Sequence, residues 1–163
     1  MEWLLWLEDG HQIGLYCSDV SGAFDRVSSH LLRRKLRALR LPACLYRVLS
    51  SWLEDRVSRV VVDGQFSAPR SLRDSVFQGT VLCPPLWNVF FGDAERSLTD
   101  GFVDTTYADD KNAYKKFGRS VSHELIEKEL RECQICLHLW GLATESFSIR
   151  PRKASTSLSL IHI

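Results

Sequence analysis

Two aspartates stand side by side at positions 109 and 110, at the end of the β-leaning stretch TTYADDKNAY (105–114), with no arginine beside them. Adjacent carboxylates repel each other and are unfavourable at the end of a half-buried strand, so the fold that carries them has to compensate their charge. Two solutions satisfy that demand. The pair can sit in a solvated turn, which suits Asp, or the chain can converge it with further oxygen ligands around a cation.

The flanking sequence alternates strand and helix signals. QIGLYCSD (12–19) predicts a strand running into Asp19, with Ser29 as N-cap of the helix that follows. In that helix Leu32, Leu36 and Leu39 form one stripe, while Arg33, Arg34, Lys35, Arg37 and Arg40 make a basic face, equally readable as solvated surface or phosphate contact. Pro42 opens a second helix carrying Leu45, Val48, Leu49 and Trp52, and ending near Asp55. SRVVVDGQFSA then predicts a hairpin with Asp63–Gly64 as its two-residue turn. A third helix is expected from Pro84–Pro85 through LWNVFFGDAERSL. GFVDTTYADD predicts a strand into Asp109 and Asp110, with DDKN as a tight turn and AYKKF as the returning strand. A long helix from Ser120 follows, with Glu124 and Glu127 in its opening turns, a stripe of Ile126, Leu130, Cys133, Leu137 and Trp140, and Gly141 as its stop. STSLSLIHI reads as a last short strand.

With 163 residues, 45% hydrophobic and 25% charged, and with no internal repeat, these elements fit one α+β domain. A formal net charge of +1 means that any basic surface is local. The opening MEWLLWLEDG is too short and too acidic for a signal peptide or a membrane span, so the expectation is an intracellular protein, not secreted, with reduced thiols and no membrane partner. Cys133 and Cys136 form a CxxC without a second pair, on a helix, and read as packing groups rather than as zinc ligands.

Three acids thus fall at strand ends: Asp19 after the first strand, and Asp109 with Asp110 at the hairpin. If those strands are neighbours in one antiparallel sheet, the carboxylates converge. Hard oxygen ligands without histidine or thiolate favour Mg2+ or Mn2+, and two such ions about 3.5–4 Å apart clamp the oxygens of a phosphoryl transfer. Solvated aspartates in turns remain the alternative.

The strings DVSGAFDRV (19–27), QGTVLCPPLWNVFF (78–91) and YADD (107–110), in this order, resemble motifs A, B and C of reverse transcriptases, most closely those of non-LTR (LINE-type) retrotransposons. The resemblance runs over roughly residues 12–155 and implies a palm: an antiparallel sheet with helices packed on one face. It implies a single partial reverse transcriptase domain over 1–163, with a motif D at 140–155 whose spacing departs from the usual. The activity implied is RNA-directed DNA polymerisation, with RNA template, DNA primer and deoxynucleoside triphosphates as partners. Asp19, Asp109 and Asp110 would be catalytic and hold the metal, Phe24 would lie beneath the incoming sugar, and Gln78 and Gly79 against the nucleotide and template. Lys153 would assist the leaving pyrophosphate. Phe24 and Ala108 favour DNA over RNA synthesis, and Asp25 becomes a structural hydrogen-bonding residue of the strand-to-helix turn. Lys111, directly after Asp110, departs from the pattern, as a cation able to pair with the acids in place of a metal. Most of the fingers, the thumb and an endonuclease are missing, and would lie elsewhere on a parent polyprotein. Nuclear or cytoplasmic ribonucleoprotein localisation follows from the same resemblance. The rival expectation is an inactive retroelement remnant that keeps the fold and binds RNA through the Arg33–Arg40 face.

Overall fold

The computed structural model describes residues 2–20, 22–72, 74–144, 149–151 and 158–161. In chain order the elements are α1 (Glu2–Glu8), β1 (Gln12–Val20), a 3-10 turn (Phe24–Arg26), α2 (Ser29–Ala38), α3 (Ala43–Leu53), β2 (Arg56–Ser58), β3 (Val61–Val62), β4 (Gln65–Phe66) and β5 (Arg70–Leu72). They continue with α4 (Cys83–Phe91), a 3-10 segment (Gly92–Ser97), β6 (Val103–Tyr107), β7 (Asp110–Phe117), α5 (His123–Ala143), β8 (Ile149–Pro151) and β9 (Leu158–Ile161). Mixed helix and antiparallel sheet, as the residue pattern requires, is what forms. The chain parts into two compact units, Met1–Ser21 with Asp93–Ile163, and Gly22–Gly92. No helix among the described residues is long and apolar enough to cross a membrane.

The first unit is built on an antiparallel sheet of order β6-β7-β1-β8, with β9 also paired to β1. Because successive strand residues point to opposite faces, the register sorts the side chains into two layers. Gly14, Lys115 and Phe117 lie on the α5 side. A Cβ at Gly14 would come within 2.8 Å of Phe117 and 3.2 Å of Ile126, and Lys115 pairs with Glu129 of α5 at 2.6 Å. Tyr114 lies on the other side, where the rings of Trp3 and Trp6 of α1 pack against it, tilted, with centroids 4.8 and 6.3 Å away. Helices therefore cover both faces, not one. Ile13 and Tyr16, of opposite parity in β1, are both fully buried, and burying such side chains stabilises by about 1.5–3 kcal/mol each.

Helix α5 buries Ile126, Leu130, Cys133, Leu137 and Gly141 along one stripe. Its N-cap is Ser122, whose hydroxyl accepts from the Leu125 N–H, and its C-cap is Thr144. Gly141 is not the stop expected of it: its position continues the buried stripe, and a glycine inside a helix costs only about 1 kcal/mol.

In the second unit, α2 packs on α3 and α4. Ser28, not Ser29, caps α2, accepting from the Leu31 N–H at 3.4 Å, because Ser29 is buried and its hydroxyl accepts from Arg56. The core includes Val27, Leu32, Leu36, Leu49, Leu53, Val76, Leu86, Trp87, Phe90 and Phe91, whereas Leu45 and Val48 of the expected α3 stripe are exposed. β3 and β4 form the expected hairpin, with Asp63 and Gly64 both at positive φ, 49° and 78°.

Candidate active site

β1 carries Asp19 to the end of its pairing with β7, where the register partner of Asp19 is Asp110. One step further the Val20 N–H donates to the Asp109 carbonyl at 3.4 Å. Antiparallel ladders alternate, so a bond at Val20 and Asp109 makes Asp19 and Asp110 a non-hydrogen-bonded pair, the closer kind, with Cα atoms about 4.5 Å apart. Of Asp19 the backbone is described. On the other side of β1, Arg150 is its register partner.

The hairpin that presents the doublet turns two positions earlier than the sequence suggests. β6 ends at Tyr107, the turn is Ala108–Asp109, and Asp110 is already the first residue of β7, paired back to Tyr107. Ala108 has φ 52°, a left-handed conformation that side-chain-bearing residues adopt at a cost of about 1–2 kcal/mol. Tyr107 is 81% exposed, while Asp109 and Asp110 are half-buried. Lys111 and Asn112, expected in the turn, are strand residues.

The reason lies in Lys111. Period-two alternation from Asp110 puts Lys111 on the face that packs under α5, where it is 1% exposed. Its ammonium donates to Asp104 Oδ1 at 2.7 Å and to Thr106 Oγ1 at 3.3 Å. Its carbonyl accepts from the Ser18 hydroxyl at 3.1 Å. Lys111 thus pairs with an acid of β6 that the sequence reading passed over. The signal was available, since in DKNAYKKF the residues of Lys111's parity include Ala113 and Phe117, both buried.

Phe24, Gln78 and Gly79 belong to the second unit. The half-buried Phe24 ring sits 5.2 Å from Trp87, tilted by 58°, and its carbonyl accepts from the Val76 N–H at 2.8 Å. Gln78 and Gly79 form an exposed turn, with Gly79 at φ 86° and nothing within 4 Å of where its Cβ would be. The turn needs glycine for its backbone and leaves open space above it. The approach to it is fixed by Arg56, another residue the sequence reading missed. Its guanidinium donates to the Ser75 carbonyl at 2.7 Å and to Ser29 Oγ at 3.2 Å, and lies over the rings of Phe77 and Trp52 at 5.0 and 5.4 Å. Asp25 is exposed in the 3-10 turn. Its N–H donates to the Gly22 carbonyl at 3.1 Å, and among the described residues its side chain makes none of the hydrogen bonds expected of it. Lys153 lies outside the described residues. The basic face of α2 is largely engaged within its own unit: Arg33 with Glu54, Lys35 with the Phe90 carbonyl, Arg37 with the Tyr46 hydroxyl. Arg34 and Arg40 are exposed.

Among the described residues no group of three or more His, Cys, Asp or Glu side chains is gathered for a metal, and the Asp19 side chain is not among those described. The donor set nevertheless fits a hard divalent cation. Two carboxylate residues share a close cross-strand position, a third is next to one of them in the turn, and like charges directly opposite in a sheet are destabilising unless compensated.

A mixed α+β chain that sets an acidic strand end beside an Asp-Asp turn brings together oxygen donors of the kind a hard divalent cation takes. Residues 6–148 match the family model for reverse transcriptase (RNA-dependent DNA polymerase), and the chain belongs to that family. The resemblance carried by the three motifs is borne out. Among similar proteins, the probable RNA-directed DNA polymerase from transposon BS of Drosophila melanogaster is 41% identical over 105 residues, 58% of this chain and 12% of that protein. The RNA-directed DNA polymerase from mobile element jockey of Drosophila melanogaster is 40% identical over 98 residues, 56% of this chain and 11% of that protein. Its counterpart in Drosophila funebris is 36% identical over 110 residues, 64% of this chain and 12% of that protein. The chain spans only 11–12% of the length of these curated relatives.

Proposed function

We propose that the chain is the palm of a non-LTR retrotransposon reverse transcriptase, one partial domain over 1–163, extending a DNA primer on an RNA template. What carries the reading is the pairing of Asp19 with Asp110 at a close cross-strand position, with Asp109 in the adjoining turn. The three carboxylates would hold Mg2+ or Mn2+, which when bound supplies the positive charge that activates a primer 3' hydroxyl and stabilises a pyrophosphate leaving group.

Phe24, its ring braced by Trp87, is the platform beneath the incoming sugar and discriminates against a 2' hydroxyl by contact. The open turn at Gln78–Gly79 admits the nucleotide and template backbone closely. Lys153 assists the leaving group. Fingers, thumb and endonuclease belong to the parent polyprotein, and the protein works inside the cell in a ribonucleoprotein, nuclear or cytoplasmic.

Primer extension on an RNA template with Mg2+ or Mn2+, comparing the chain with Asp109→Asn and Asp110→Asn, tests the reading. Incorporation that disappears in both variants supports it. No incorporation by any of the three proteins, with salt-sensitive RNA binding retained, replaces it with an inactive remnant.

A further inference from the structure

We propose that the buried Lys111–Asp104 pair is a register lock: it fixes the pairing of β6 with β7, so that the two-residue turn falls on Ala108–Asp109 and Asp110 stands across from Asp19. Its functional meaning rests on the polymerase reading, whereas its structural content does not.

The hydrophobic pattern of this hairpin specifies register weakly. β6 is the edge strand of its sheet, and its sequence VDTTY leaves Val103 and Tyr107 exposed. In β7 the α5-facing positions alternate charge and apolar group, Lys111, Ala113, Lys115, Phe117, and the other face holds Asp110, Asn112, Tyr114 and Lys116. A shift of one residue exchanges those faces, and in strands with so little apolar contrast the alternatives differ little in burial energy.

The ion pair removes that degeneracy. Lys111 is 1% and Asp104 15% exposed at the side chain, and the contact at 2.7 Å is diagonal across the two strands. Thr106, directly opposite Lys111, donates its hydroxyl to both Asp104 oxygens at 3.1 Å and accepts from the ammonium, closing the cluster. Slipping the strands would carry Lys111 away from Asp104 and leave a desolvated charge without that partner, a heavy penalty, whereas an apolar residue at 111 would lose little. A buried pair of this kind contributes little net stability over apolar replacements, and choosing one register among several is the use to which such pairs are best suited. The Ser18 bond to the Lys111 carbonyl extends the same alignment to β1. Lys111 is therefore a positioning residue that acts through Asp110.

The register can be read by cross-linking. Thr105 and Asn112 are partners across β6 and β7, close enough for a disulfide. In the full chain with Cys17→Ser, Thr105→Cys and Asn112→Cys, mild oxidation followed by peptide mapping should give the 105–112 bridge. Adding Lys111→Met should cut its yield several-fold while the circular dichroism of the fold persists, and Lys111→Arg should restore it. Undiminished yield in Lys111→Met overturns the lock. Should Lys111→Met unfold through a stranded Asp104, the variant Lys111→Met with Asp104→Leu decides. A folded chain with low yield supports the lock; a folded chain with full yield, or an unfolded one, overturns it. No polymerase activity enters the readout, so failure here is separate from failure of the proposed function.

Discussion

Asp19 and Asp110 are register partners in β1 and β7, at a position where the ladder makes no backbone hydrogen bond between them. Like charges directly opposite in a sheet are destabilising by roughly 0.2–1 kcal/mol. Asp110→Asn should therefore raise the unfolding free energy in EDTA by about that amount. Added Mg2+ should stabilise the native chain and leave the variant nearly unmoved, since a ligand bound to the folded state alone stabilises by mass action. Urea titrations with and without Mg2+ measure both. Equal responses of the two proteins to Mg2+ would remove the carboxylate pair from the cation site.

The turn beside this pair holds an alanine where glycine is at ease, Ala108 at φ 52°. Ala108→Gly relieves roughly 1–2 kcal/mol of left-handed strain and gives back about 0.5–1 in chain entropy, for an expected net gain of up to about 1.5 kcal/mol. Ala108→Val, β-branched at the same φ, should cost about 1–3 kcal/mol. A reversed order of the two variants in thermal unfolding would mean that this turn does not keep its left-handed residue.

Gly14 sets how closely α5 lies on the sheet. A Cβ there would stand 2.8 Å from the Phe117 ring, 3.2 Å from Ile126 and 3.4 Å from Leu130, all of them buried side chains. Gly14→Ala should then destabilise by about 1–3 kcal/mol, the usual cost of overpacking, even though alanine suits a strand backbone better. Chemical denaturation that finds the variant as stable as the parent would show the helix free to move outward.

Much of this was legible before the structure. The alternation in QIGLYCSD placed Asp19 at a strand end, and Asp63–Gly64 announced its hairpin, because local turn chemistry and period-two burial act over a few residues. What escaped was decided by partners on other elements of the fold. Lys111 belongs to a strand rather than a turn because Asp104 and Thr106 receive it in the interior. Ser29 gave up the cap to Ser28 because Arg56 claims its hydroxyl. Gly141 stays helical because its position continues a stripe that packs on the sheet. A polar or small residue on a core face carries no local mark of the partner that makes it affordable there.

Two buried acids near this sheet bear on behaviour at high pH. Burial pushes the Cys133 thiol from its ordinary 9.0 up to about 12, with Cys136 adding to the rise and Lys111 opposing it. Burial likewise lifts Tyr16 from 10.0 to about 12, partly offset by the Ser18 hydroxyl. Both groups are neutral when protonated, so the folded chain holds protons that the unfolded chain releases from about pH 9 upward. Their contribution is fully present below pH 9, and stability is lost as pH rises from there toward 12. Urea midpoints should fall across that window, and Tyr16→Phe, which keeps the ring and removes the titrating group, should flatten part of the fall. The thiols give an independent check at pH 8. Exposed Cys44 should alkylate first, Cys17 and Cys136 more slowly, and buried Cys83 and Cys133 only on unfolding, because the thiolate is the reactive form and burial suppresses it. Rapid modification of Cys133 in the folded chain, or an unchanged alkaline slope in Tyr16→Phe, would show that water reaches the layer between α5 and the sheet.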